Sequence, residues 1–379
     1  MSSNKILVFA SPIYSLKTTD GGPSGFLAQN LSGFKSDLYD LSAQDCPYPS
    51  LGQRFHKKLG KFFNLDKQKL IDAGIEKVNR FECWIRSSQE HFFDIKASNY
   101  KFIYFHDVWT LKSCLPLIRP DQIILFQPHC PELPSEEIES QKVFSPGDIE
   151  WTKEAQRDAF SRANILIFPN SYVLDIYGSL LSHASKIFYI NSAARKVTHL
   201  RHFPLNEKIH LLYIGRRNKI KGFDLILEGF REAYKQRKDI NLLLLGSGQE
   251  TNLEGVYDIG FTDAVHQWIY NCDFVVNCNR QSYFDLSVLE TLSIGTPIIL
   301  TDTNGHHQLV EDGSAGIINM GPPDSTALKE VLLSSKIKKK AENLAAVTAN
   351  QTLYEKKYSD SLYRKNLEQL FGKILAEYR

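Results

Sequence analysis

The chain has 379 residues, 42% hydrophobic and 12% aromatic, with 45 Lys and Arg against 43 Asp and Glu, a formal charge of +2. That length exceeds what one core ordinarily holds and points to two domains of roughly 150–200 residues. The near-neutral balance excludes a protein that grips nucleic acid or another polyanion by overall charge, so any basic surface has to be local.

The opening MSSNKILVFASPIY has one lysine and a short apolar run, which reads as a first strand rather than a signal peptide. No stretch reaches the ~20 apolar residues of a membrane-spanning helix. The six cysteines form no C-x-x-C pair and no Cys/His cluster with zinc spacing, which predicts reduced thiols in a cytoplasmic protein.

Short apolar runs bounded by turn residues follow in order. KILVFA, YKFIYFHD, DQIILFQP and ANILIFPNS lie in the first half. IHLLYIG, INLLLLGSG, CDFVVNCN and TPIILTD lie in the second. Continuous runs of this length suit parallel strands covered on both faces. Helical patterns such as GFDLILEGFREAYKQRKD separate them, so βαβ units and an α/β class are expected, with two Rossmann-like domains. The polar, aperiodic NSAARKVTHLRHFPLNEKIH marks the junction. The expected division is 1–200, 201–352, and a terminal helix 353–379 that packs back toward the first domain through Leu362, Leu367, Leu370, Phe371, Ile374 and Leu375. Ligands of open parallel sheets bind beyond the carboxyl ends of the strands, so a cleft between facing domains is the expected site.

Residues 51–70, LGQRFHKKLGKFFNLDKQKL, place Leu51, Phe55, Leu59 and Phe62 on one helical face, with Arg54, Lys57, Lys58 and Lys61 on its flanks. The pattern fits a helix lying on an anionic membrane surface, and equally a core-facing helix with solvated lysines. LLLLGSGQE carries G-x-G after a strand but no third glycine at the dinucleotide spacing, which argues against NAD.

Two turns carry chemistry. In IGRRNKIKGFDLILEGF a strand ends at Gly215, and Arg216, Arg217, Lys219 and Lys221 precede a helix. Cations beside a helix N-terminus suit a diphosphate, although a solvated basic turn has the same pattern. In CDFVVNCNRQSYFDLSVLETLSIGTPIILTDTNG a helix starting near Leu286 aims free N–H groups at an anion. Glu290, one turn in, has two oxygens that can accept from a vicinal diol such as ribose, or is an ordinary surface glutamate.

Together these stretches resemble the retaining glycosyltransferases of the GT-B fold, family 4. GGPSGFLAQNL resembles the family's Gly-Gly turn near the donor phosphate, and GRRNKIKG its Gly-Arg…Lys-Gly element. SYFDLSVLETLSIGTPII fits the E-x7-E segment, GHHQLVEDGSAGIIN the Gly-rich stretch that follows, and NILIFPNS and FYINSAA the strand and turn of the first half. The resemblance implies that Arg216, Lys221, Gly22 and the helix at Leu286 hold the donor diphosphate. It places Glu290 on the ribose and Gly260 and Phe261 of DIGF along the base. His129 would reach the reacting sugar, with His106 a second candidate or a core histidine.

One position departs from the family. The first glutamate of the motif is Ser282, and the usual glycine is Asp285. Asp285 is expected either to cap the helix or to supply the missing sugar contact. Ser282, Asp285 and His129 are the catalytic candidates. No two aspartates are spaced as D-x-D, so no metal and no cofactor are expected, and the leaving charge falls to arginine, lysine and helix dipoles. The expected activity is transfer of a sugar from a nucleotide diphosphate sugar, with UDP favoured, to a glycan, glycolipid or protein-linked acceptor. It would serve bacterial surface polysaccharide or glycoconjugate synthesis in the cytoplasm or at the inner membrane face, without nucleic acid. Ser282 motivates an alternative, a non-catalytic subunit of the same fold that supports an active partner.

Overall fold

The computed structural model describes residues 3–42, 80–181, 185–248 and 251–378. The amphipathic stretch 51–70 lies outside the described residues. Contacts divide the chain into two compact units. One comprises Met1–Phe168, Tyr177–Ile190 and Arg364–Arg379, the other Pro169–Ile176 and Asn191–Tyr363.

The first unit is built on a parallel six-stranded sheet: β1 Ser3–Phe9, β2 Tyr39–Leu41, β3 Tyr100–Phe105, β4 Ile123–Phe126, β5 Ile165–Phe168 and β6 Lys186–Tyr189, in the order β2-β1-β3-β4-β5-β6. β1 pairs in register through Ile6↔Phe102, Leu7↔Ile103 and Val8↔Tyr104. Helix starts are fixed by local chemistry. Asp107 accepts from Thr110 N at 2.6 Å and begins the helix Val108–Cys114. Ser145 and Asp148 form a capping box around Pro146, opening the helix Pro146–Arg162. The C-terminal segment from Arg364 lies against this sheet, where Phe371 meets Tyr39 and Tyr104 edge-on at centroid distances of 5.9 and 5.8 Å.

The second unit repeats the plan with β7 Ile209–Ile214, β8 Ile240–Leu245, β9 Val256–Gly260, β10 Phe274–Asn277, β11 Ile298–Leu300 and β12 Ile317–Asn319, ordered β12-β11-β10-β7-β8-β9. Alternate residues of these strands face opposite sides. Leu211, Leu242, Leu244 and Val276 join one core cluster, while Leu212, Leu243, Leu245 and Val275 join the other. The helix Phe223–Tyr234 buries Phe223, Ile226, Phe230 and Ala233, three or four residues apart.

In each sheet the first strand has its immediate successor on one side and a crossover strand on the other. The order reverses between β1 and β3, and between β10 and β7. Loops leaving adjacent strands diverge at such a point and open a crevice.

Gly222 is required where the chain turns from β7 into its helix. Its φ is +64°, and an added Cβ would lie 1.9 Å from the carbonyl oxygen of Cys278. Gly222→Ala therefore combines left-handed strain with a backbone clash and is expected to cost about 2–4 kcal/mol. Gly178→Ala, where a Cβ meets nothing within 4 Å, is expected to be near neutral. Denaturant titration of the two variants measures the difference.

Candidate functional site

The basic turn after β7 is less uniform than its sequence. Arg217 folds inward, its side chain 2% exposed, and pairs with the carboxylate of Asp258. It also donates to the carbonyl oxygen of Gly246 at 3.2 Å and lies over the Phe223 ring. This arginine braces the turn against β8 and β9. Arg216 and Lys219 are exposed and Lys221 is half-buried. Asn218 Oδ1 accepts from Lys221 N at 3.0 Å, which shapes the turn that presents the lysine.

Asp285 follows β10, across the point of reversal from Lys221. It occupies the N-cap position of the helix Leu286–Ile294, yet its side chain makes no capping hydrogen bond. The expected side-chain cap is thus corrected, because stronger donors claim the carboxylate. Lys221 Nζ donates to Oδ1 at 2.7 Å. The amides of Asn277 and Asn279 donate to Oδ2 at 3.2 and 2.5 Å. His306 Nε2 stands 3.6 Å from Oδ2. Burial opposes the charge on Asp285, but Lys221, His306 and the amide bonds outweigh it and hold the carboxyl well below the usual carboxylate range. His306 is fully buried, and burial pushes it down to about 4, so its ring is neutral at pH 7.

Ser282 is fully buried and takes a different partner. Its Oγ bonds Thr303 Oγ1 at 2.6 Å and the Thr303 carbonyl oxygen at 3.1 Å, while its own carbonyl oxygen accepts from Gly305 N at 3.0 Å. A Cβ on Gly305 would lie 1.6 Å from the Tyr283 carbonyl oxygen. Serine here knits the loop after β11 to the loop after β10.

Glu290 sits on the helix Leu286–Ile294 and is 8% exposed. His266, from the helix Val265–Asn271, places Nε2 3.3 Å from Glu290 Oε1. The sequence pattern does not single out His266, which lies in no quoted motif, or His306, which lies within GHHQLVEDGSAGIIN at a position the motif leaves unspecified. Gly260 closes β9 with φ +74°, and its carbonyl oxygen accepts from Gly246 N at 3.0 Å. Phe261, next to it, is 81% exposed, an unusual place for a phenyl ring. The helix beginning at Leu286 thus has Asp285 at its mouth, Lys221 on the facing loop and Glu290 one turn in.

In the first unit, His106 follows β3 and His129 follows β4. His106 Nδ1 and His129 Nε2 are 3.0 Å apart, so the two candidates share one hydrogen bond. Phe26 and Tyr104 pack against them, with Phe26 4.7 Å from the His129 ring and Tyr104 4.2 Å from the His106 ring, centroid to centroid. Burial pushes His129 down to about 3 and, with His129 beside it, holds His106 well below its ordinary value. Both rings are neutral at pH 7, and one proton occupies the bond between them. Asp107 anchors the adjacent backbone through its helix cap and its bond from Tyr14. Gly22 begins the helix Gly22–Asn30, and added Cβ atoms on Gly21 and Gly22 would meet nothing within 4 Å.

Burial pulls His266 down, but the hydrogen bond and charge of Glu290 outweigh it and raise its pKa above 6.5. A raised value means that the stabilising contribution is complete below about pH 6.5 and is lost as pH rises through the folded value. NMR titration is expected to place the His266 midpoint above 6.5 and to lower it in Glu290→Gln. A midpoint that does not move on that substitution would contradict the pairing.

Residues 208–334 match the family model described as glycosyl transferases group 1. The D-inositol 3-phosphate glycosyltransferase of Paenarthrobacter aurescens (strain TC1) is 29% identical over 163 residues, 38% of this chain and 40% of that protein. The alpha-D-kanosaminyltransferase of Streptomyces kanamyceticus is 26% identical over 178 residues, 42% of this chain and 46% of that protein. The chain thus spans less than half the length of these curated relatives. Among solved structures, sucrose-phosphate synthase from Thermosynechococcus elongatus superposes with a TM-score of 0.61 at 15% identity, covering 83% of this chain and 81% of that one. Anabaena HepE in complex with UDP-glucose gives 0.58 at 14% identity, covering 73% and 80%. At such identities the likeness is one of fold. Residues 208–334 carry the sequence pattern of the group 1 glycosyltransferases, and the chain has the α/β architecture of GT-B enzymes.

Proposed function

We propose that the protein is a retaining glycosyltransferase using a nucleotide diphosphate sugar, with UDP the favoured nucleotide. The acceptor class is a glycan, glycolipid or protein-linked sugar of a bacterial surface polymer or glycoconjugate. One observation carries this reading: Lys221 and the N-terminus of the helix Leu286–Ile294 meet at the reversal between β7 and β10, where an open parallel sheet binds its ligand. Solved neighbours of the same fold are described in complex with UDP and with UDP-glucose.

In this reading Arg216, Lys221 and the free N–H groups at Leu286 take up the charge that develops on the leaving diphosphate. Glu290 accepts from the ribose hydroxyls, with His266 orienting the carboxylate through the bond already present. Gly260 and the exposed Phe261 serve the base. For the first unit, the resemblance assigns His129 to the transferred sugar and Gly22 to the diphosphate. His106 is a positioning residue that fixes the His129 ring through their mutual bond.

The reaction retains configuration through a front-face path. The bond from the anomeric carbon to the diphosphate oxygen breaks, and that oxygen accepts the proton of the acceptor hydroxyl. The acceptor oxygen bonds the anomeric carbon on the same face. Because the sequence holds no D-x-D, the proposal gives charge neutralisation to guanidinium, ammonium and helix N–H groups rather than to a divalent cation.

A hydrolysis screen across nucleotide sugars, paired with calorimetry of nucleoside diphosphates, tests the reading. Wild type is expected to bind at least one nucleoside diphosphate. Arg216→Met is expected to weaken that binding by roughly tenfold or more, the share of one charge-assisted bond. Failure of wild type to bind any nucleotide would instead favour a non-catalytic subunit, in keeping with the loss of glutamate at Ser282.

A further inference from the structure

We infer that Asp285 makes the donor site prefer an intact nucleotide sugar to the bare nucleoside diphosphate, and so favours release of the spent nucleotide. The inference rests on the donor-site reading above and adds a role for a residue which that reading leaves unassigned.

The bonding of the carboxylate carries it. Oδ2 is occupied by two side-chain amides, from Asn277 and Asn279, with the buried His306 ring behind it. Oδ1 is held by the Lys221 ammonium. Both side chains of this pair retain some exposure, 16% for Lys221 and 14% for Asp285, so an incoming ligand can reach them. The amide shell fixes the carboxylate in place, and Lys221 is the mobile partner: an ammonium on a flexible stem with three rotatable donors.

A diphosphate that engages Lys221 draws it from Oδ1 or shares it. Either way a second anion comes close to a carboxylate that is mostly buried, and like charges there repel strongly. A bare nucleoside diphosphate ends in phosphate oxygens, and its ribose hydroxyls are taken by Glu290 in the same reading, so it offers nothing to replace the lost donor. A nucleotide sugar presents hydroxyl groups next to the diphosphate, and a hydroxyl can donate to the vacated Oδ1. The same carboxylate therefore penalises the product and is satisfied by the donor. The ligand class follows: a nucleotide sugar with a free hydroxyl close to its diphosphate. A helix cap would explain none of this, since the side chain makes no bond to its own helix.

The test is the ratio of dissociation constants, nucleoside diphosphate over nucleotide sugar, by calorimetry. The probes are UDP with UDP-glucose, ADP with ADP-glucose and GDP with GDP-mannose, taking whichever pair wild type binds most tightly. Wild type is expected to favour the nucleotide sugar. Asp285→Asn keeps the shape without the charge and is expected to cut the ratio by about tenfold, mainly through tighter binding of the nucleoside diphosphate. Asp285→Gly is tolerated at an N-cap and guards against misfolding of the first variant; it is expected to cut the ratio likewise. A structural ion pair would change the melting temperature and leave the ratio at its wild-type value, and that result overturns the inference. Wild type that binds no probe overturns the donor-site reading and the inference with it. Binding with an unchanged ratio overturns the inference alone.

Discussion

The Lys221–Asp285 ion pair closes the gap between two strands whose loops diverge. β7 sends its loop one way and β10 sends its loop the other, and the 2.7 Å contact joins residues 64 positions apart in the chain. The crevice at the reversal is a consequence of topology, but its chemistry depends on what spans it. Lysine opposite carboxylate, at the mouth of a helix, sets a cation and a buried anion side by side at this point. Each other part of the second unit's site is placed relative to this pair. Gly222 packs its backbone onto that of Cys278. Asn277 and Asn279 turn their amides to Asp285. Glu290 faces His266 one helical turn deeper.

Charge is distributed more narrowly than composition implies. The turn after β7 holds four cations in six residues, yet Arg217 is withdrawn into a brace on Asp258. The exposed cations of the turn are therefore Arg216 and Lys219, with Lys221 half-buried against Asp285. Desolvation and pairing oppose each other at groups such as Asp285 and His266, and the balance differs from one to the next. Asp285 stays ionised because its donors outnumber the penalty of burial, whereas His106, His129 and His306 are held neutral by burial.

Interior strands were legible in the sequence, and edge strands were not. The apolar runs that announce themselves are β1, β3, β4, β5, β7, β8, β10 and β11, all flanked on both sides. The four strands they omit, β2, β6, β9 and β12, are the four sheet edges. β2 has three residues, and β6, β9 and β12 are half-buried or exposed, so none shows a continuous apolar run. The site shows a similar limit. Motif spacing picks out Lys221, Asp285, Glu290, His106 and His129 individually. It cannot show that Lys221 bonds Asp285, that Asp285 forgoes capping its helix, or that His106 and His129 hydrogen-bond each other. These are contacts between loops of different strands, set by strand order rather than by local pattern. His266 and His306 escape for the same reason: each is defined by the carboxylate it meets across the fold.

Under the proposed function, a pyrophosphate binds at the β7–β10 reversal. A crystal structure of the protein with a bound nucleoside diphosphate tests it most directly. The account predicts phosphate oxygens within hydrogen-bond distance of Arg216, Lys221 and the first N–H groups of the helix Leu286–Ile294, with the ribose on Glu290. A pyrophosphate bound elsewhere, or Arg216 and Lys221 turned away from it into solvent, would contradict the account.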